Sequence, residues 1–265
     1  MKIKELVSAL ERFAPLPLQD GFDNAGLQIG LTEAEATGAL LCLDVTEAVL
    51  DEAIALGYNL VISHHPLIFK GYKSITGKDY VERCILKAIK NDIVIYSAHT
   101  NLDNAYGGVN YKIAEKIGLK NLQVLEPKEN NLQDDLTQAG AGIVGELDEP
   151  ETELEFLKRI KKTFEVGCVR HNRLTGREIQ KVALCGGAGA FLLPQAIRAG
   201  ADVFITGEIK YHDYFGHEGD ILMAEIGHYE SEQYTKEIFY SIIRDLFPNF
   251  ALQSSKINTN PIKYL

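Results

Sequence analysis

His64 and His65 stand side by side in Ser63-His64-His65-Pro66, directly after the apolar run that ends at Ile62. Adjacent side chains of an extended chain point to opposite sides, and Pro66 biases His65 toward that extended form. Such a pair suits two metal ions better than one, with the backbone passing between them. Two further pairs follow, His99 with Asp103 and His228 with Glu232, each four residues apart. On a helix that spacing puts both groups on one face. Imidazole and carboxylate without thiolate fit zinc, manganese, iron or nickel rather than a structural cysteine-type zinc site. The wealth of imidazole argues against calcium or magnesium. Two such ions ~3.5–4 Å apart activate a shared water at neutral pH and so support hydrolysis. The expected ligands are His64, His65, Asp103, His228 and Glu232, with Glu232 as a bridging carboxylate and His99 as a partner that orients a ligand. Asp103 would equally suit a turn before the Gly107-Gly108 helix start, and Glu232 a helix N-terminus. His171 and His217 read as surface residues.

Two weaker signals lie in the second half. Glu208 and His212, again four apart, follow the apolar run Val203–Thr206 and read either as candidate acid/base groups lining the pocket or as surface helix residues. Cys185-Gly186-Gly187-Ala188-Gly189 lies between a strand and a helix. Its backbone N–H groups could cradle a phosphate, or it is a tight turn; it is neither a Walker motif nor a full G-x-G-x-x-G.

The elements that must hold these residues are legible in outline. Ile3, Leu6, Val7, Leu10 and Phe13 predict an opening helix over 2–13 that Pro15 and Pro17 end. Strands are expected at 40–43, 58–62, 93–97, 166–170, 181–185 and 202–206. Helices are expected at 46–56, 79–91, 107–117, from 150 onward, at 190–199 and at 229–246. Thr46 is the expected N-cap of the 46–56 helix and Gly57 its stop. The tail from 254 reads as loosely packed.

Residues 40–63 align without a gap to 183–206. Leu41, Cys42, Ala53, Ile54, Gly57 and Ile62 meet Leu184, Cys185, Ala196, Ile197, Gly200 and Ile205. Each copy reads strand, helix, glycine stop, strand. The alternation predicts an α/β fold of two related lobes with mixed, largely parallel sheets. The histidine–carboxylate pairs that follow each copy suggest one metal site shared in the cleft between the lobes. The first lobe is expected over 1–125, with 233–265 packing back on it, and the second over 126–232, the crossing lying near 126–135, where composition turns polar.

The chain has 265 residues, 46% hydrophobic and 24% charged, an ordinary globular composition. A net charge of −10 disfavours nucleic acid as a partner. Four cysteines without a C-x-x-C pair read as reduced, mostly buried thiols. With no apolar leader and no membrane-length apolar run, the expected location is the cytoplasm.

Together these residues resemble the Nif-three-like dinuclear-metal-centre family, also labelled GTP cyclohydrolase 1 type 2 homologues. The resemblance spans essentially the whole chain. It is carried by Asp23-Asn24-Ala25-Gly26-Leu27-Gln28, Ser63-His64-His65-Pro66, Ala98-His99-Thr100-Asn101-Leu102-Asp103, Ile205-Thr206-Gly207-Glu208 and Gly227-His228-Tyr229-Glu230-Ser231-Glu232. One departure is Phe22, where the family often has Trp. Some relatives carry a large inserted domain, for which the short 126–135 segment leaves no room. The resemblance implies two divalent ions held by the same five ligands and a toroidal homohexamer.

The expected activity is metal-dependent hydrolysis of a small molecule: a nucleotide, as the family label implies, or another phosphoester or cyclic amide. The alternative is a non-catalytic protein for metal binding, metal delivery or scaffolding.

Overall fold

The computed structural model describes residues 1–128, 139–217 and 219–265. The expected crossing at 126–135 therefore lies largely outside the described residues. The chain forms two compact units. One holds Met1–Leu102 and Thr235–Pro261, the other Asp103–Tyr234 and Ile262–Leu265.

In chain order the first unit contains α1 (Ile3–Phe13), β1 (Gly26–Ile29), β2 (Ala39–Cys42), α2 (Glu47–Leu56), β3 (Leu60–Ser63), α3 (Tyr80–Lys90) and β4 (Val94–Ser97). The short helix α4 (Thr100–Asp103) leads into the second unit. There follow α5 (Val109–Ile117), β5 (Lys120–Pro127), β6 (Gly140–Thr152), α6 (Glu153–Thr163), β7 (Arg170–His171), β8 (Glu178–Cys185), α7 (Leu193–Arg198), β9 (Val203–Thr206), β10 (Leu222–Glu225) and α8 (His228–Glu232). The chain then returns to the first unit with α9 (Thr235–Leu246) and β11 (Leu252–Ser254).

The first unit is built on a five-stranded sheet of order β1-β4-β3-β2-β11. β11, β2, β3 and β4 run parallel, and only β1 is antiparallel. Every residue of β2, β3 and β4 is buried, as expected of parallel strands covered on both faces. That is why they appear in sequence as unbroken apolar runs. Thr46 caps α2 by accepting from Val49 N, and Gly57 ends it in the left-handed region at φ 70°. The tail is more ordered than its polarity suggests: β11 adds to the sheet beside β2, and the Ser255 hydroxyl donates to Glu52.

The second unit holds a six-stranded sheet of order β5-β6-β8-β9-β10-β7. β8, β9 and β10 are parallel, and the other pairings are antiparallel. β5 and β6 have no counterpart among the expected strands, because β6 (GAGIVGELDEPET) mixes glycine and acidic residues. Its pairing with β8 supplies what its local propensity lacks. With β5 hydrogen-bonded to β6, the second unit begins at Asp103, well before the change in composition. The strand expected at 166–170 is reduced to Arg170–His171.

The internal repeat survives as identical register. Cys42 faces Ser63 across β2 and β3, and Cys185 faces Thr206 across β8 and β9. The helix expected over 229–246 is instead two, α8 and α9. Between them Gln233 Nε2 donates to Phe164 O and the Tyr234 hydroxyl to Thr163 O, at the end of α6. These bonds hold the chain in the second unit up to Tyr234, and the helical path restarts where it leaves.

Candidate metal centre

In the first unit the three histidines collect at the carboxyl ends of β3 and β4. His64, His65 and His99 each offer a ring nitrogen, and these nitrogens lie within 4.8 Å of one another. His64 is fully buried and its Nδ1 lies 2.9 Å from the carbonyl of Ala98. His65 Nδ1 lies 2.7 Å from Asp44 Oδ1, and His99 Nδ1 2.7 Å from Asp23 Oδ1. Carbonyl and carboxylate oxygens only accept, so in each neutral ring Nδ1 carries the proton and Nε2 the lone pair. This is how proteins orient metal-binding imidazoles. His99 has the same arrangement as the other two.

Two carboxylates that sequence reasoning passed over do this orienting. Asp44 follows β2, and its second oxygen accepts from the Thr259 hydroxyl at 2.5 Å. Burial pushes the Asp44 carboxyl up, but the bonds from His65 and Thr259 outweigh it and hold the group below its ordinary value. Asp23 behaves likewise. Burial raises it, and hydrogen bonds from His99 and Thr100 bring it down to about 2. A usable signal existed for both: Asp44 ends an apolar strand run, and Asp23 opens the Asp-Asn-Ala-Gly-Leu-Gln motif.

In the second unit α8 starts just after β10. His228 Nε2 lies 3.2 Å from Glu232 Oε2, one turn along the helix, and His228 Nδ1 lies 2.8 Å from Glu208 Oε1. Glu208 thus holds His228 as Asp44 holds His65. It also occupies the position that matches His65 in the repeat. Asp103 ends α4, and its carbonyl accepts from Asn110 Nδ2 at 3.0 Å. Asn110 Oδ1 in turn accepts from Gly186 N at 2.9 Å. His212 is exposed in a short turn, with its ring against Tyr211 and Phe215. His171 is exposed, while His217 is half-buried.

The glycine turn after β8 has its amides engaged by side chains. Gly186 N donates to Asn110, Gly187 N to Ser231 Oγ and Gly189 N to Thr206 Oγ1. These N–H groups are committed to structure, which removes the basis for a phosphate cradle there. The turn instead makes room. A methyl group at Gly187 would collide with Glu232 Oε1. One on Gly207 would come within 2.6 Å of Gly187 O and 2.9 Å of His228 Cα. Gly207 matches His64 in the repeat, so the start of α8 takes the space that a histidine would need.

The fold and these groups define an α/β protein with two mixed sheets and histidine and carboxylate side chains able to hold a metal ion. The profile of the Duf34/NIF3 family (NGG1p interacting factor 3) matches residues 1–261, and the chain belongs to that family. It is 37% identical over 235 residues to a GTP cyclohydrolase 1 type 2 homolog of Clostridium perfringens, covering 88% of this chain and 87% of that one. A protein of the same name from Lactococcus lactis is 34% identical over 271 residues, with 98% of each chain covered. Among solved structures, Staphylococcus aureus protein SA1388 superposes with a TM-score of 0.91 at 31% identity, covering 100% of this chain and 99% of that one. Among the described residues no helix is long and apolar enough to cross a membrane. Cys42, Cys84 and Cys185 are buried thiols and Cys168 is an exposed one.

Proposed function

We propose that this protein binds two divalent transition-metal ions (zinc, manganese, iron or nickel) through His64, His65, Asp103, His228 and Glu232, and uses them to hydrolyse a small-molecule substrate in the cytoplasm. The observation that carries the reading is the shared preparation of the histidines. In each unit separately, an imidazole at a strand's carboxyl end has Nδ1 held by an oxygen, which supports Nε2 of His64 and His65 as metal donors and sets His228 Nε2 beside the second proposed ligand, Glu232. The donors fit the group. Imidazole and carboxylate suit these metals, and Gly187 clears the space that Glu232 fills.

When bound, two such ions would supply an activated water at neutral pH. The chain's own residues orient the donors. In this reading Glu208 acts through the His228 ring, and His212 remains the candidate for moving a proton. The name carried by the Clostridium and Lactococcus relatives favours a nucleotide substrate, with other phosphoesters and cyclic amides as the next to try. A toroidal homohexamer is part of the same reading, and sedimentation or light scattering tests it.

The deciding experiment is metal content by plasma mass spectrometry on untagged protein, compared with His64→Ala and Glu232→Ala. About two transition-metal ions per chain are expected in the wild type, in line with a two-metal hydrolytic site, and both variants should lose them. That result would lead to a hydrolase screen beginning with GTP. Wild-type protein that retains no metal after reloading overturns the reading. Stoichiometric metal without turnover on any substrate class leaves metal delivery or scaffolding as the function.

A further inference from the structure

Beside the histidine cluster of the first unit, two phenylalanines stand in solvent. Phe22 is 66% exposed and Phe69 45% exposed. Single exposed apolar residues are common on protein surfaces, but these two are in contact, with ring centroids 6.3 Å apart and planes tilted by 47°. Phe69 also meets His99, at 6.2 Å and 77°. His99 in turn lies 5.2 Å from His64 and 5.4 Å from His65. A chain of ring contacts therefore runs from the exposed Phe22 through Phe69 to His99, beside His64 and His65.

The two loops are fastened so that these rings stay outside. Asn24 Nδ2 donates to Ile68 O at 2.6 Å, Ile68 N donates to Gln28 Oε1 at 3.2 Å, and Gln28 Nε2 donates back to Asn24 O at 2.7 Å. Asp23, next to Phe22, is held by the His99 ring and by Thr100 N. The Asp23–Gln28 motif thus joins the 22–28 loop to the 66–69 loop on one side and to His99 on the other. It spends its polar groups on holding two apolar rings in water, which packing alone would not reward.

We propose that Phe22 and Phe69 form a platform for a planar heteroaromatic ring of the substrate. The tilt suits this. A ring stacked on one phenylalanine meets the other at the same 47° tilt, so both rings can contact it. His99 at the inner end sets how far the ring can advance toward His64 and His65. The inference rests on the proposed hydrolytic reading and narrows it to substrates with a planar ring.

The test uses 2-aminopurine riboside, whose fluorescence is quenched on stacking, titrated into metal-loaded full-length protein. The chain contains no tryptophan, so the probe is excited without that background. Wild type should quench it saturably, guanosine should compete, and ribose 5-phosphate should not. Phe22→Ala and Phe69→Ala should each weaken binding about fivefold or more, the low end for a base–aromatic stack. Phe22→Tyr, which keeps the ring, should stay within about twofold, as should Phe191→Ala, a control on an exposed ring of the second unit. Metal content, measured on the same samples, should be unchanged in all of them. Absence of saturable quenching in metal-loaded wild type overturns the proposal, as does equal binding by the alanine variants. A change in sedimentation with quenching intact also overturns it and makes the rings a subunit contact. Wild type that holds no metal is instead a failure of the hydrolytic reading.

Discussion

Replacing Asp44 by alanine tests the logic of the centre without touching a proposed ligand. The Asp44 carboxylate lies 2.7 Å from His65 Nδ1 and is also tied to Thr259. A hydrogen bond to a charged group contributes ~1.5–3 kcal/mol. The two side chains are 34% and 24% exposed, so solvent screening favours the lower part of that range, ~1.5–2 kcal/mol. At ~1.4 kcal/mol per factor of ten, this predicts metal binding ~10–30-fold weaker, within the ~10–100-fold typical of such orienting partners. The assay is competition for zinc or cobalt against a chromophoric chelator, with thermal melts to show that the variant is folded. Asp44→Asn, which keeps an acceptor but not the charge, should lose less. Thr259→Ala should fall between wild type and Asp44→Ala, and Thr259→Ser should restore wild-type affinity. A folded Asp44→Ala protein that binds as tightly as wild type would refute the argument that Nδ1 fixation prepares His65.

Two further outcomes follow from the same geometry. Gly187→Ala places a side chain at φ 59° and against Glu232, and should destabilise the protein by ~1–3 kcal/mol, read as a lower denaturant midpoint. An unchanged midpoint would mean that the turn gives way more easily than its packing indicates. Iodoacetamide at pH 8 should label Cys168 first. Burial pushes the Cys84 thiol up to about 11 and raises Cys42 further, so little thiolate is present at either. Peptide mapping that finds Cys84 modified as fast as Cys168 would contradict this.

The legible part of this protein is where local chemistry and burial agree. Leu60–Ser63 and Val203–Thr206 stand out because parallel strands buried on both faces need unbroken apolar runs, and the residues just after them are the ones such a sheet presents at its carboxyl edge. His64, His65 and Glu208 were visible for that reason, and Thr46 and Gly57 because caps are local. β6 was not visible, because its glycines and acidic residues become strand only when β8 supplies the partner. The break between α8 and α9 was hidden too. No proline or glycine marks it, and its cause lies in bonds from Gln233 and Tyr234 to the end of α6.

The sequence by itself determined the α/β alternation, the repeated strand–helix–strand unit and the set of histidines and carboxylates open to metal, because residue type and short spacing carry that information. Only the tertiary structure decided which oxygen fixes each imidazole. His65 is separated from Asp44 by 21 positions, His99 from Asp23 by 76, and Asp44 from Thr259 by 215. It also turned the glycine run 186–189 from a possible anion cradle into a spacer, since the side chains that claim its amides arrive from α5, α8 and β9. Hydrogen bonds are short-ranged and directional, so partners this far apart in sequence are fixed only once the fold of their own unit brings them together.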